Sequence, residues 1–271
     1  MPETVDVVIP FSEDYTPREK FERAKASVED QTVPVNIIAV TETAPEGVNG
    51  AGWARNRGME RSENRFVAFI NADDTWAKDK LEKQLKRMEE TGAGMCLTKT
   101  YDPGNNVMNN PVRDEIEEFI LDVFLERCVC FMPSVLVDTK KVDAQFPEDI
   151  YRREDELYVL DVANQAGVCF VNESLCTLDK HEEGMSSSED ISRKLDAHEE
   201  FYRRAVDLHP WLADHEDEYW AQHYHRLGRE AYFRGNPKSV NYLQKSLIHR
   251  FRIKTFISLI LAWFQRVTPS I

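Results

Sequence analysis

Cysteine is scarce in this chain. Five occur in 271 residues, an odd number without a CxxC pair, which excludes a disulfide scaffold. No apolar run approaches the roughly 20 residues that cross a bilayer, so an integral membrane protein is excluded as well. The first residues lack the basic, apolar and small-residue blocks of a signal peptide, and with the unpaired cysteines this favours a reducing cytoplasm. Positive charge is also in deficit. Lys+Arg 34 against Asp+Glu 48 leaves a net −14, which argues against a general nucleic-acid binder. Acid in turn is missing from one region: none follows Glu230, whereas Arg234, Lys238, Lys245, Arg250, Arg252, Lys254 and Arg266 do. What remains is a 42% hydrophobic, 30% charged chain of globular texture. Its length is about 1.8 typical domains, enough for one large domain with an appendage.

Hydrophobic patterning supplies the order of elements. Val5–Ile9 is a β-branched run ending at Pro10, and Val35–Val40 and Arg65–Ile70 read as further strands. Thr16-Pro17-Arg18-Glu19 offers an N-cap, a proline at the first helical position and a capping-box acid. Phe21, Ala24 and Val28 then share a helical face. Asn49–Gly58 reads as a glycine-rich loop entering a helix, and Leu81, Leu85 and Met88 mark a helix closed by Gly92. Gly94–Thr98, Val168–Val171 and Ser174–Leu178 are strand-like, residues 111–127 and 156–166 helical, and Val129–Val137 extended. The pattern is helical from about residue 188 onward, with a break at Gly235-Asn236-Pro237. This predicts an α/β domain over 1–188, its nucleotide-binding half about 1–100 and its acceptor-side half about 101–188, and a helical extension over 189–271. In open α/β sheets ligands bind outside the carboxyl ends of the strands. Here those ends are Pro10-Phe11-Ser12, Thr41-Glu42 and Asn71-Ala72-Asp73-Asp74.

Familiar nucleotide and metal motifs fail. Gly50-Ala51-Gly52 opens like GxGxxG but meets Arg55, and neither a P-loop nor HExxH occurs. His181/Glu182 and His223/His225 lack a shared helical face, which leaves no zinc site. Asn71-Ala72-Asp73-Asp74 carries adjacent carboxylates, tolerable beside a hard divalent cation. Alternatively Asp74 or Thr75 simply caps the following helix. Glu154-Asp155 is either an acidic helix start favoured by the macrodipole or a catalytic pair. Arg55 suits a diphosphate, or is solvated, as Arg57 and Arg61 are read to be. His181 is a loop histidine whose interest comes from its surroundings.

Together the segments VVIPFSED at 7–14, NIIAVTE at 36–42, GWARNRGM at 52–59, FINADDTW at 69–76, RREDE at 152–156 and HEEGMSSS at 181–188 resemble the family-2 glycosyltransferases over about residues 3–188. The resemblance implies a GT-A fold, a Rossmann-like mixed but mainly parallel sheet with flanking helices, and inverting sugar transfer from a nucleotide sugar. It places Pro10, Phe11, Thr41 and Glu42 at the nucleotide base. Arg55 falls near base and phosphates, and Asn71 and Ala72 in the sugar-nucleotide crevice. Asp73, with Asp74 following, is placed at Mg²⁺ or Mn²⁺. Asp155 becomes the catalytic base with Glu154 beside it, and His181 sits near the departing diphosphate. Two positions depart from the family pattern, since aspartate is usual at 71 and paired aspartates at 41 and 42. The implied partners are a nucleoside-diphosphate sugar and a glycan or lipid-linked glycan acceptor, with no nucleic acid. A silent sugar-nucleotide or glycan-binding module on the same fold is the alternative, and Glu154-Asp155 opposes it. A nucleotidyltransferase would carry a glycine- and lysine-rich loop where FSEDYTP is acidic.

The last helix places Ile253, Phe256, Ile257, Ile260 and Phe264 on one face behind Arg250, Arg252 and Lys254. This reads either as a helix packed on its own domain or as an interfacial helix. In the second case it makes a peripheral contact through residues 239–266 at the inner face of the cell membrane.

Overall fold

A computed structural model describes residues 3–103, 107–109, 113, 115–128, 130–179 and 190–267; His181 lies outside them. The chain divides into two compact units, Met1–Gly184 and Met185–Ile271.

The first unit is built on one mixed sheet. Its strands are β1 (Val5–Pro10), β2 (Val35–Val40), β3 (Phe66–Phe69), β4 (Thr75–Trp76), β5 (Met95–Asp102), β6 (Val107–Asn109), β7 (Val135–Asp138) and β8 (Val168–Thr177). Its helices are α1 (Arg18–Glu29), α2 (Gly50–Glu60), α3 (Lys80–Thr91), α4 (Ile116–Phe124) and α5 (Glu154–Ala166). The strands run in the order β2-β1-β3-β7-β5-β8-β4, with β6 paired to β5. β2, β1 and β3 are parallel, and β5 and β8 point the same way. β7 is antiparallel to both β3 and β5, and β4 to β8. The α/β expectation therefore holds. The sheet also runs unbroken across residue 100, because β5 straddles it.

Val5, Val7 and Ile9 are buried with Phe21, Ala24 and Val28 of α1, so the strand and helix patterns of the sequence meet in one core. Three local expectations are corrected. Thr16 does not cap α1: Pro17 occupies the cap position, has no side-chain acceptor, and makes no cap bond. The glycine-rich segment at 50–52 is already helix, because Asn49 caps it by accepting from the Gly52 N–H at 2.9 Å. The two strands expected at 168–178 are one, interrupted by an irregularity that moves the partner of Thr98 at Val171 to that of Lys99 at Ser174. Asn172 and Glu173 are the residues passed over, a bulge that the polar break in the pattern signals.

α2 lies hard against β1. A Cβ placed on Gly58 would stand 2.2 Å from Val8 Cγ1, so only glycine lets this helix approach the sheet closely.

In the second unit α6 (Ile191–Leu208), α7 (Glu216–Phe233), α8 (Ser239–His249) and α9 (Ile253–Val267) follow one another. The break at Gly235, whose φ is 64°, separates α7 from α8 as expected. Gly228 admits Leu243 between the two helices, since a Cβ there would meet Leu243 Cγ at 2.6 Å. Among the described residues no helix is long and apolar enough to cross a membrane.

Gly58→Ala tests the α2–β1 contact. Alanine ordinarily improves a helix interior by about 0.5–1 kcal/mol. Here overpacking should instead cost about 1–3 kcal/mol, read as a melting temperature lower by about 2–10 °C. A melting temperature equal to or above the parent's would refute the close approach.

Candidate active site

The parallel pairing of β1, β2 and β3 brings Pro10, Val40 and Phe69 to one edge of the sheet, and β5 and β8 end at that edge too. The chain leaving β3 passes along it through Asn71–Asp74 to reach β4, four places away in the strand order. The acidic loop thus lies across the carboxyl ends of the strands, where open α/β sheets bind ligands.

Arg55 of α2 is the hub of the site. It is buried, and its Cζ lies 5.4 Å from the centre of the Phe146 ring. Nη1 donates to Asp155 Oδ1 at 2.5 Å and stands 3.6 Å from Glu154 Oε1. Nη2 donates to Asn71 Oδ1 at 3.4 Å. Its Nε is buried without a hydrogen-bond partner among the described residues. One planar guanidinium therefore joins the start of α5 to the acidic loop.

From Asn71 the network continues. Its Nδ2 donates to Asp74 Oδ2 at 2.9 Å, and Asp74 Oδ1 accepts from the Asp179 N–H at 2.9 Å. Asp179 forms ion pairs with Lys20 and, at 3.2 Å, with Arg23, whose Nη2 also donates to the Asp73 carbonyl at 2.8 Å. Burial would raise the Asp179 carboxyl, but hydrogen bonds from Lys20 and Arg23 hold it below its ordinary range. Asp74, expected as a second metal ligand, thus has each of its oxygens engaged in holding the loop. Asp179, Lys20 and Arg23 were missed in the sequence. An acid just past the last strand and cations at i and i+3 on α1 were the available signals.

Backbone conformation aims the α5 acids. Arg153 precedes the helix with φ at 71°, in the left-handed region that a non-glycine residue enters at a cost of roughly 1–2 kcal/mol. Its guanidinium reaches Glu126 at 3.2 Å and Glu156 at 3.7 Å, which anchors that turn. Glu154 and Asp155 follow in the first helical turn. Burial pushes the Asp155 carboxyl up to about 8; Arg55 pulls it down, and Glu154 and Glu156 add to the rise. An acid tuned toward neutrality is suited to proton transfer.

The remaining expected residues lie along the same edge with other partners. Phe11 is buried and stacks on Phe21, ring centres 4.2 Å apart. Pro10 ends β1, half-buried. Glu42 is exposed and paired with Arg61 at the end of α2, its Oε2 also accepting from the Thr41 N–H at 3.1 Å. Those hydrogen bonds, chiefly from Arg61, bring Glu42 down to about 2. Arg61 is therefore bound to the site edge rather than being an unattached surface arginine.

The mixed, mainly parallel sheet with flanking helices is the fold of the GT-A glycosyltransferases, and similar solved structures share that fold. S. aureus TarS 1-349 in complex with UDP-GlcNAc superposes with a TM-score of 0.58 at 14% identity, over 98% of this chain and 92% of that one. The mannosyltransferase PcManGT from Pyrobaculum calidifontis, in complex with GDP-Man and Mn²⁺, gives 0.52 at 13% identity, over 98% and 88%. Residues 42–156 match the family described as Glycosyl transferase family 2. Curated relatives agree. The amylovoran biosynthesis glycosyltransferase AmsB of Erwinia amylovora is 30% identical over 131 residues, 45% of this chain and 42% of that protein. A putative teichuronic acid biosynthesis glycosyltransferase, TuaG of Bacillus subtilis (strain 168), is 50% identical over 50 residues, 18% and 20% of the two chains. The chain thus spans less than half the length of these relatives.

The raised Asp155 gives a stability test. The folded protein holds this proton more tightly than the unfolded chain does. The stability it contributes is complete below the ordinary carboxylate range near 3.8 and is lost as the pH rises through about 8. Asp155→Asn cannot ionise. Whatever the constant offset from losing the Arg55 partner, its melting temperature should gain on the parent's between about pH 5 and about pH 8. A difference that stays flat over that range would mean that Asp155 titrates as a surface carboxylate does.

Proposed function

We propose that this domain moves a sugar from a nucleoside-diphosphate sugar to a hydroxyl of a glycan or lipid-linked glycan, with inversion at the anomeric carbon. The observation that carries the reading is the span of Arg55, which ties Asp155 to Asn71 of the acidic loop and so brings a proton acceptor beside the donor crevice. In the proposed step Asp155 takes the proton of the acceptor hydroxyl, whose oxygen attacks the anomeric carbon as the bond to the diphosphate breaks. Such general-base help contributes about 10²–10⁴-fold. Arg55 offers hydrogen bonds and positive charge to the departing group. Pro10, Thr41 and Glu42 at the strand ends would meet the nucleotide base.

The acidic loop presents only oxygen donors, a set that suits a hard divalent cation such as Mg²⁺ or Mn²⁺. Asp73, itself buried, is the residue that would hold it. When bound, the cation would stabilise the charge developing on the diphosphate. The five cysteines are buried and unbridged, in accord with work in a reducing compartment.

Two variants separate binding from chemistry. Asp73→Ala should abolish the Mn²⁺-dependent thermal stabilisation of the protein by UDP or GDP. Asp155→Asn should keep that stabilisation while turnover of a sugar nucleotide falls by about 10²–10⁴-fold. The parent's rate should rise with pH through about 8, as the base loses its proton. Full turnover by Asp155→Asn would remove it from the reaction, and stabilisation without turnover in the parent would favour the silent binding module.

A further inference from the structure

The second unit carries a surface that the transfer reaction does not use. α9 is apolar on nearly every side, yet only Thr255 and Ala262 of its described side chains are fully buried, with Ser258 and Leu259 partly so. Ala262 and Leu259 join the cluster of Val240 and Leu243 on α8. Ile253, Phe256, Ile257, Ile260, Trp263 and Phe264 stay 40–69% exposed. A helix apolar all round calls for a second apolar environment, because so large a contiguous patch is costly to hydrate.

Two depressions accompany this face. A pocket of about 550 Å³ at the start of α9 is lined by His225, Phe251, Arg252, Ile253, Lys254 and Thr255. A groove of about 270 Å³ follows, lined by Val240, Gln244, Leu259, Ile260 and Trp263. The pocket is cationic: burial together with Arg229, Arg252 and Lys254 pushes the His225 imidazole below its ordinary range. Glu218 offsets part of that charge through Arg250 at 3.0 Å and Arg252 at 3.6 Å. Lys254 is exposed and makes no ion pair among the described residues. A cationic pocket next to an apolar groove matches a lipid, with a charged head and greasy tails.

We propose that α9 docks the protein on an anionic phospholipid surface, its exposed apolar side chains entering the headgroup boundary while Arg252 and Lys254 meet lipid phosphates. The charge distribution selects this occupant. The protein as a whole is net −14 and is repelled by such a surface, whereas residues beyond Glu230 are exclusively cationic among charged types. A second copy presenting the same cationic face would be repelled. The 15 residues of α9 that the structure describes reach only about 22 Å, against a hydrocarbon core of about 30 Å, which suits a helix lying in the surface. This inference stands whether or not the first unit transfers sugar.

The test is flotation of the full-length protein with phosphatidylcholine vesicles, with and without phosphatidylglycerol. The protein should float with the mixed vesicles and lose that binding as salt is raised. The double variant Ile257→Asp/Phe264→Asp should cut binding by at least about tenfold at an unchanged melting temperature, since both side chains are exposed. Lys254→Glu should cost about five-fold per unit of charge and blunt the salt dependence. Indifference of the parent to phosphatidylglycerol would overturn the proposal. So would a concentration-dependent dimer that the double variant abolishes, because a second copy would then cover the face.

Discussion

A buried guanidinium leaves the surrounding chain little freedom. Arg55 sits inside the protein between Phe146 and the acids of α5, and losing both carboxylates would strand its charge at a cost of about 3–5 kcal/mol. Everything that fixes Arg55 therefore fixes the site. The Asn49 cap sets where α2 begins, Gly58 lets α2 press onto β1, and the left-handed turn at Arg153 points Glu154 and Asp155 toward it. Asn71 then carries the constraint into the acidic loop, and Asp74 passes it on to Asp179 and α1. Positioning of the reacting groups and stability of the first unit are thus one network, in which few members are dispensable.

What could be read without coordinates was local. Val5–Pro10 and Val35–Val40 announced themselves by β-branched runs, and Gly92 closed α3 in the left-handed conformation that its position suggested. Arg55, Asn71 and Asp155 stood out because their neighbours on either side formed a familiar order. The segment of β7 read as extended, but its place between β3 and β5 was not legible, because antiparallel insertion is decided by pairing across distant segments. The same holds for Asp179 with Lys20 and Arg23, which meet only after the sheet has closed. Phe11 shows the opposite failure. It lies next to the ligand edge in sequence, but its ring is worth more to the core against Phe21 than at the surface.

The second unit follows a different economy. α7 and α8 are drawn together through Gly228, but α9 meets α8 along only a thin stripe of small or short side chains. Large apolar groups on the remaining sides leave 40–69% of their surface uncovered in this unit. Their retention beside an acid-free stretch makes sense only as stability deferred until something else is bound.

One consequence of the strand order concerns how such a protein can diversify. β5 leaves the sheet at the same edge where β7, running the other way, enters it. The chain between Asp102 and Val135, with β6 and α4 within it, is therefore an excursion that departs from and returns to the rim above the crevice. Its exposed positions, such as Glu115, Glu117 and Glu118, can vary without shifting the register of any other strand, whereas Glu126 is tied to the turn that aims the α5 acids and can vary only at their expense.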